Sequence, residues 1–384
     1  MFNQILQFIR ERYGAEGFIP LHAPLFVGNE REFVVDTINS TFVSSVGAYV
    51  EKFEQKIASY TNSPSAVVTV NGTSALHMSL LLAGVGCDDY VITQALTFVA
   101  TGNAISYCKA EPIFIDVDKQ NLGLSPQAVD AWLEEHALID DAGVCRNKSD
   151  NRIIRACLPM HTFGHPVDMD SLLEVCKRWQ LCIIEDAAES LGSYYKGRHT
   201  GTIGTLGILS FNGNKVITTG GGGMILTNTA LGKRAKHLTT TAKLPHAFEF
   251  YHDEVGYNYR MPNLNAALGC AQLEQLELFI ASKRRLAQEY AKLFANTSMK
   301  FIIEPEHCRS NYWLNAVCCA DRFQRDELLK ITNDKGIMTR PIWNSLNLLP
   351  MFRNSLCGPL TNTEWLSERV VNLPSSVIAG DLCA

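Results

Sequence analysis

Long apolar runs, strong charge of either sign and paired cysteines are all missing from this chain of 384 residues. No apolar stretch reaches the roughly eighteen residues that a membrane-crossing helix needs. The formal charge is -5, from 34 basic and 39 acidic residues, which leaves no basic footprint for nucleic acid or a membrane surface. The twelve cysteines are scattered and none forms a C-x-x-C pair. Reduced thiols are therefore expected, with neither a zinc cluster nor a disulfide framework. The opening MFNQILQFIRERYGAEG has no long apolar centre and no small-residue cleavage site. It reads as a short amphipathic helix, not a secretion signal, and a cytoplasmic location is the expectation. Internal repeats and low-complexity tracts are absent too. So are two nucleotide signatures. No lysine follows the glycine run Gly220 to Gly223 as a G-x-x-x-x-G-K-[ST] loop demands, and no G-x-G-x-x-G follows a strand in the first half. A dinucleotide enzyme is a poor reading.

What is present suits an ordinary globular protein. Apolar residues make up 46% and charged residues 19%, enough for a full core. The length suits one large domain and a smaller one. Short apolar runs (SAVVTV, YVITQ, PIFIDVD, IIRACLPM, LCIIEDAAE) alternate with segments of helical spacing, such as SPQAVDAWLEEHAL with its Ser-Pro start. This alternation predicts an α/β domain with a mostly parallel sheet. TLGILSFNGNKVITTGGGGMILT reads as two or three strands around a flexible glycine run. The segment after Asn265 predicts one bent helix or two. The end of the chain mixes strands (FIIEP, YWLNAVCCA) with a helix (RDELLKITNDKG), giving a small α+β domain. The expected division is an N-terminal segment 1–30, a large domain 31–265, a helical link 266–299 and a small domain 300–384.

Three places carry chemistry. Asn71-Gly72-Thr73-Ser74 follows a strand and opens a helix, where a tight turn and free N–H groups can hold a phosphate; a plain capped helix gives the same pattern. Asp186 ends a buried-looking strand, the usual place for sites in open α/β sheets. It can pair with a protonated ring nitrogen, or serve as a cap or a metal or ribose ligand. The neighbouring Glu185 should face the other way. Lys215 lies in a polar, glycine-punctuated segment between apolar runs, a setting that leaves room for a nucleophilic amine; a hairpin-tip lysine is the plain alternative. Ser210, five residues earlier, can return toward the same ligand. The run Gly220 to Gly223 is either a phosphate cradle or a loop packed close to backbone.

The order phosphate turn, acid, lysine is where a resemblance enters. The blocks VNGTSALHMSL, ALTFVATGNAI, HTFGHPVDMD, IIEDAAESLGSYYKG, GTLGILSFNGNKVITTGGGGM and GYNYRMPNLNAALGCAQL resemble the DegT/DnrJ/EryC1/StrS family of pyridoxal 5'-phosphate (PLP) dependent nucleotide-sugar aminotransferases. The likeness runs from about residue 20 to the end and implies the fold-type I aminotransferase architecture. It implies that Gly72, Thr73, Ser74 and Ser210 hold the cofactor phosphate, that Phe98 stacks on the ring and that Ala188 packs beneath it. Asp186 would pair with the ring nitrogen, Glu189 would lie near the ring hydroxyl, and Lys215 would be the Schiff-base lysine. Asn258 would reach the phosphate from a partner subunit, so a homodimer with shared sites is implied. His161, Tyr259, Arg260 and Trp343 are weaker candidates for lining the sugar site, as is His165. Each has a plain reading: Phe98 as a core aromatic, Asn258 to Arg260 as turn residues, His161 as a hydrogen-bonded structural histidine.

The implied reaction moves an amino group, with glutamate as donor, onto C4 of a 4-keto-6-deoxy-N-acetylhexosamine carried on UDP or GDP. The opening PLHAPLFVGNEREFVVDTINSTFVSSVGAYVEKFE most resembles the branch that makes precursors of legionaminic-type nonulosonic acids for surface polysaccharides. One departure is Gln94, where the family usually has proline before ALTFVAT. C3 amination and a non-catalytic, regulatory PLP-binding protein are the alternatives. Lys215 speaks against the related sugar dehydratases, which have histidine at that place.

Overall fold

The computed structural model describes residues 1–383. An eight-stranded sheet runs in the order Ser65–Thr69, Gly223–Thr227, Leu206–Ser210, Cys182–Asp186, Ile154–Leu158, Tyr90–Gln94, Glu111–Ile115, Leu356–Cys357. Only Gly223–Thr227 opposes its neighbours; every other pairing is parallel. The parallel strands are nearly continuous apolar runs because helices cover both faces. Of the 206–227 segment, only the two ends are strands, while 211–222 is a loop. The last short strand, Leu356–Cys357, had no apolar run to announce it and returns from the C-terminal region to the sheet edge.

A second, antiparallel sheet orders Lys300–Phe301, Asn315–Cys318, Val370–Leu373 and Arg340–Pro341. Its core includes Val317, Leu328, Val371 and Leu373, and also takes in Ile5 and Ile9 of the first helix, Phe2–Tyr13. The apolar face of that helix is thus buried against the far end of the chain. The helical stretch after Asn265 is two helices, Asn263–Glu274 and Leu276–Phe294, parted at Gln275. Among the described residues, no helix is long and apolar enough to cross a membrane.

Sequence-distant capping fixes the entry to the large sheet. The Ala48–Thr61 helix starts at Gly47 without a cap of its own. Instead, Asn263 Oδ1 accepts from the N–H groups of Tyr49 (3.0 Å) and Val50 (3.3 Å), while its Nδ2 donates to the Phe42 carbonyl (2.6 Å). A Cβ on Gly47 would lie 2.2 Å from Asn263 Cγ, so glycine is required there by contact.

Lys283 ties the long helix to the small sheet. Its side chain is fully buried, and Nζ donates to the carbonyls of Trp313 (3.2 Å) and Ser375 with no carboxylate in contact. Burial pulls this ammonium down from 10.5 to about 7. Between those values the unfolded chain holds the proton and the folded chain does not, so stability rises with pH across that window and falls as pH drops toward 7. In urea unfolding at pH 7, 8 and 9, Lys283→Met is expected to remove up to about 1.4 kcal/mol of this rise per pH unit. Parallel pH dependences in the two proteins would contradict it.

Candidate active site

The C-terminal ends of the parallel strands open into a cavity of about 810 Å³, closed on the other side by the small sheet. This is the expected place for a site in a sheet of this kind. Gly72, Thr73, Phe98, Asp186, Ala188 and Glu189 line it, together with Ser210, Lys215 and Trp343. Residues from five separate segments thereby meet.

The turn after Ser65–Thr69 leaves free N–H groups at a helix start. Asn71 caps the Gly72–Leu82 helix by accepting from the Ser74 N–H at 2.8 Å. The N–H groups of Gly72 and Thr73 have no partner among the described residues, and they stand at the positive end of the helix dipole. A Cβ on Gly72 would come within 2.9 Å of Ser210 Cβ, so the missing side chain is what lets Ser210 approach the turn. Ser74 itself lies outside the cavity lining, its N–H taken by Asn71.

Asp186 ends the central strand with 3% exposure. Its Oδ2 accepts from Thr101 at 2.9 Å and its Oδ1 from the Ala188 N–H at 3.2 Å. Burial raises this carboxyl above its ordinary range, and those donors with the charge of Lys215 only partly offset it. Its backbone is held on both sides, its N–H donating to Pro159 and its carbonyl accepting from His161. The neighbouring Glu185 points away from the cavity, as strand alternation requires. It accepts from His161 Nε2 (2.9 Å) and from the N–H groups of Gly201 (2.8 Å), Ile203 and Gly204 (both 2.6 Å). Burial pushes its carboxyl up, but His161 and the N–H donors outweigh this and leave it below the usual range.

Lys215 is half-buried. Its Nζ lies 3.3 Å from Glu189 Oε1 and 3.9 Å from the centre of the Trp313 ring. Trp313 is fixed in turn, since its Nε1 donates to the Asn214 carbonyl at 2.6 Å. Glu189 Oε2 accepts from the Phe163 N–H at 3.0 Å. Phe98 stands on the lip, 51% exposed.

Several expected residues lie elsewhere. His161 is not a lining residue: it is fully buried, with Nε2 on Glu185 and Nδ1 accepting from the Val167 N–H at 3.1 Å, so both ring nitrogens serve structure. His165 is also enclosed, and burial lowers it to about 4. Tyr259 is turned away from this cavity, its hydroxyl 3.1 Å from His77 Nδ1 and its ring stacked on Tyr257. Asn258 and Arg260 are outside the lining as well, joined by an Arg260 Nε to Asn258 Oδ1 bond of 3.2 Å. The glycine run takes its packing role: Gly223 has the Asn71 carbonyl 2.4 Å from where a Cβ would be, and of the four only Gly222 touches the cavity. Trp313, Thr101, Arg340 and Asn372 were not anticipated. Thr101 follows Phe98 by three residues, so helical spacing in TFVAT was the one available signal.

The family model for the DegT/DnrJ/EryC1/StrS aminotransferase family matches residues 26–380. A GDP-perosamine synthase from Escherichia coli O157:H7 is 38% identical over 360 residues, covering 93% of each chain. Another from Caulobacter vibrioides is 32% identical, again over 93% of each. Among solved structures, the aminotransferase TlmJ from Streptoalloteichus hindustanus superposes with a TM-score of 0.85 at 25% identity, covering 95% of this chain and 98% of that one. The fold and site thus define a PLP-dependent aminotransferase. The chain belongs to the DegT/DnrJ/EryC1/StrS aminotransferase family.

Burial raises the Glu189 carboxyl to about 7, with Lys215 pulling against that rise. In isotope-edited infrared spectra of the cofactor-free protein, Glu189 is expected to be half-protonated near neutral pH. Lys215→Met should move that midpoint upward, because the opposing ammonium is gone; an unchanged midpoint would show that the pair is not electrostatically coupled.

Proposed function

We propose that the protein is a cytoplasmic homodimer that transfers an amino group from L-glutamate to C4 of a nucleotide-linked 4-keto-6-deoxy sugar. The observation that carries this is the convergence on one cavity of a free-amide helix start, a buried uncompensated carboxylate and a lysine amine. These features fit the cofactor. The N–H groups of Gly72 and Thr73, with the Thr73 and Ser210 hydroxyls, would hold its phosphate. Asp186, raised by burial, would find in a cationic ring nitrogen the partner it lacks. Phe98 would cover one ring face, Ala188 the other, and Glu189 would stand near the ring hydroxyl. When bound, the cofactor supplies a sink for the electron pair released at the donor Cα.

Lys215 does the rest. Its Nζ would be the group that holds the cofactor covalently, and as a free amine it would move the proton at the donor Cα. The Trp313 ring beneath Nζ and the Glu189 carboxylate beside it limit where the amine can swing. The same amine would return a proton to the sugar carbon in the second half of the cycle.

GDP is the carrier we favour, because relatives at 38% and 32% identity are named for a GDP-linked product. UDP and an N-acetylated acceptor of the nonulosonic-acid branch remain the alternative, and with them a role in surface polysaccharide. Asn258 is exposed on a loop outside the cavity of its own subunit, a placement that suits contact with a partner's cofactor. The division at 1–30, 31–265, 266–299 and 300–384 is part of this reading; the separate core around the small sheet supports it, although that core also takes in the first helix.

Two experiments test the reading. The visible band of the PLP-loaded protein is expected to bleach on adding glutamate and to return on adding a GDP- or UDP-4-keto-6-deoxy sugar. Lys215→Ala should lose the cycle outright, and Asp186→Asn should slow it by roughly 100-fold or more. No response to glutamate in wild type contradicts the proposal. Second, Asn258→Ala is expected to weaken PLP retention without changing the unfolding midpoint. A wild-type monomer that retains PLP normally would refute shared sites.

A further inference from the structure

Four charged side chains line the cavity: Asp186, Glu189, Lys215 and Arg340. Lys215 and Glu189 face each other at 3.3 Å, and Asp186 accepts from Thr101 and the Ala188 N–H. Arg340 is left over. It lies at the rim, exposed, and no hydrogen bond or ion pair joins its guanidinium to any described residue. Such an arginine alone would be ordinary. Its neighbour is not. Asn372 sits directly across the antiparallel pair from Arg340, so the two side chains project from the same face of the small sheet. Asn372 is 4% exposed, lines the same cavity, and its buried Oδ1 has no donor. A buried amide oxygen without a donor is costly unless something else supplies one.

We infer that Arg340 and Asn372 form an oxyanion-binding subsite on the small-sheet wall of the cavity, an inference that rests on the aminotransferase reading. The guanidinium offers a planar fork matched to a carboxylate or a phosphate, and a lysine in its place would keep only the charge. The Asn372 amide adds a donor for the anion and an acceptor for an adjacent amine or hydroxyl. Both substrates of an aminotransferase acting on nucleotide sugars carry such an anion: the amino-acid donor its α-carboxylate, the acceptor its diphosphate. Arg340 and Asn372 belong to the small sheet and Asp186 ends a strand of the large one, so the subsite would hold a different part of a substrate from the part that meets Asp186.

The test uses PLP-loaded wild type, Arg340→Gln and Arg340→Lys. One arm titrates glutamate and reads the loss of the visible band in a single turnover; the other measures GDP and UDP binding by calorimetry. Arg340→Gln is expected to weaken one arm by about 10- to 100-fold, the loss of one charge-assisted contact. Arg340→Lys should recover part of it. Weakening of the glutamate arm assigns the subsite to the donor carboxylate, and weakening of the nucleotide arm assigns it to the diphosphate. Should Arg340→Gln fail to fold, Asn372→Asp places a competing carboxylate beside the guanidinium and is expected to give the same loss. A wild type that responds in either arm, with variants that match it in both, overturns the subsite alone. A wild type that responds in neither overturns the aminotransferase reading as well.

Discussion

Burying Asp186 at the end of the central strand costs free energy that Thr101 and one backbone N–H return only in part. Much of the surrounding structure serves to keep it there. The parallel bridge to Met160 and the backbone bonds to Pro159 and His161 hold its main chain. The network of His161, Glu185 and the 201–204 turn fills the space on the opposite side of the strand. A carboxylate held so firmly without a cation is poised for one that arrives with a ligand. The cavity is arranged about that need, with the anion-ready helix start on one side and the lysine on another.

Trp313 gives the two layers of the molecule a shared element. Its ring lies under Lys215, its indole N–H holds the Asn214 carbonyl, and its own carbonyl accepts from the buried Lys283. The position of the Lys215 amine is thereby tied to the small sheet and the long helix, not only to the loop that bears it. Gln94 is a comparable clasp. Its amide meets the carbonyls of Leu96 and Leu122 and the N–H groups of Leu124 and Met160, fastening the end of the Tyr90–Gln94 strand to its neighbours.

The parallel sheet was legible because its strands are short apolar runs set between amphipathic helices, a pattern that local spacing dictates. The turn at Gly72, the strand end at Asp186 and the loop at Lys215 were legible for the same reason, each being punctuation in that pattern. His161 was misplaced because a strand end has two sides, and only tertiary packing with Glu185 decides which side a residue takes. Arg340 and Asn372 were invisible because they belong to short strands of the small sheet, where pairing in space and not periodicity fixes which face meets the cavity, and Trp313 because it lies in the bend just before such a strand. The edge strand Leu356–Cys357 escaped for a similar reason, since two residues leave no period to read.

The central claim is that Lys215, of all the lysines, is the one that bonds the cofactor. It is tested most directly by incubating the purified protein with PLP, reducing with borohydride, and mapping the modified peptide by mass spectrometry. A single pyridoxyl adduct on Lys215 is the expected result. An adduct on another lysine, Lys283 included, or none at all, would contradict the account.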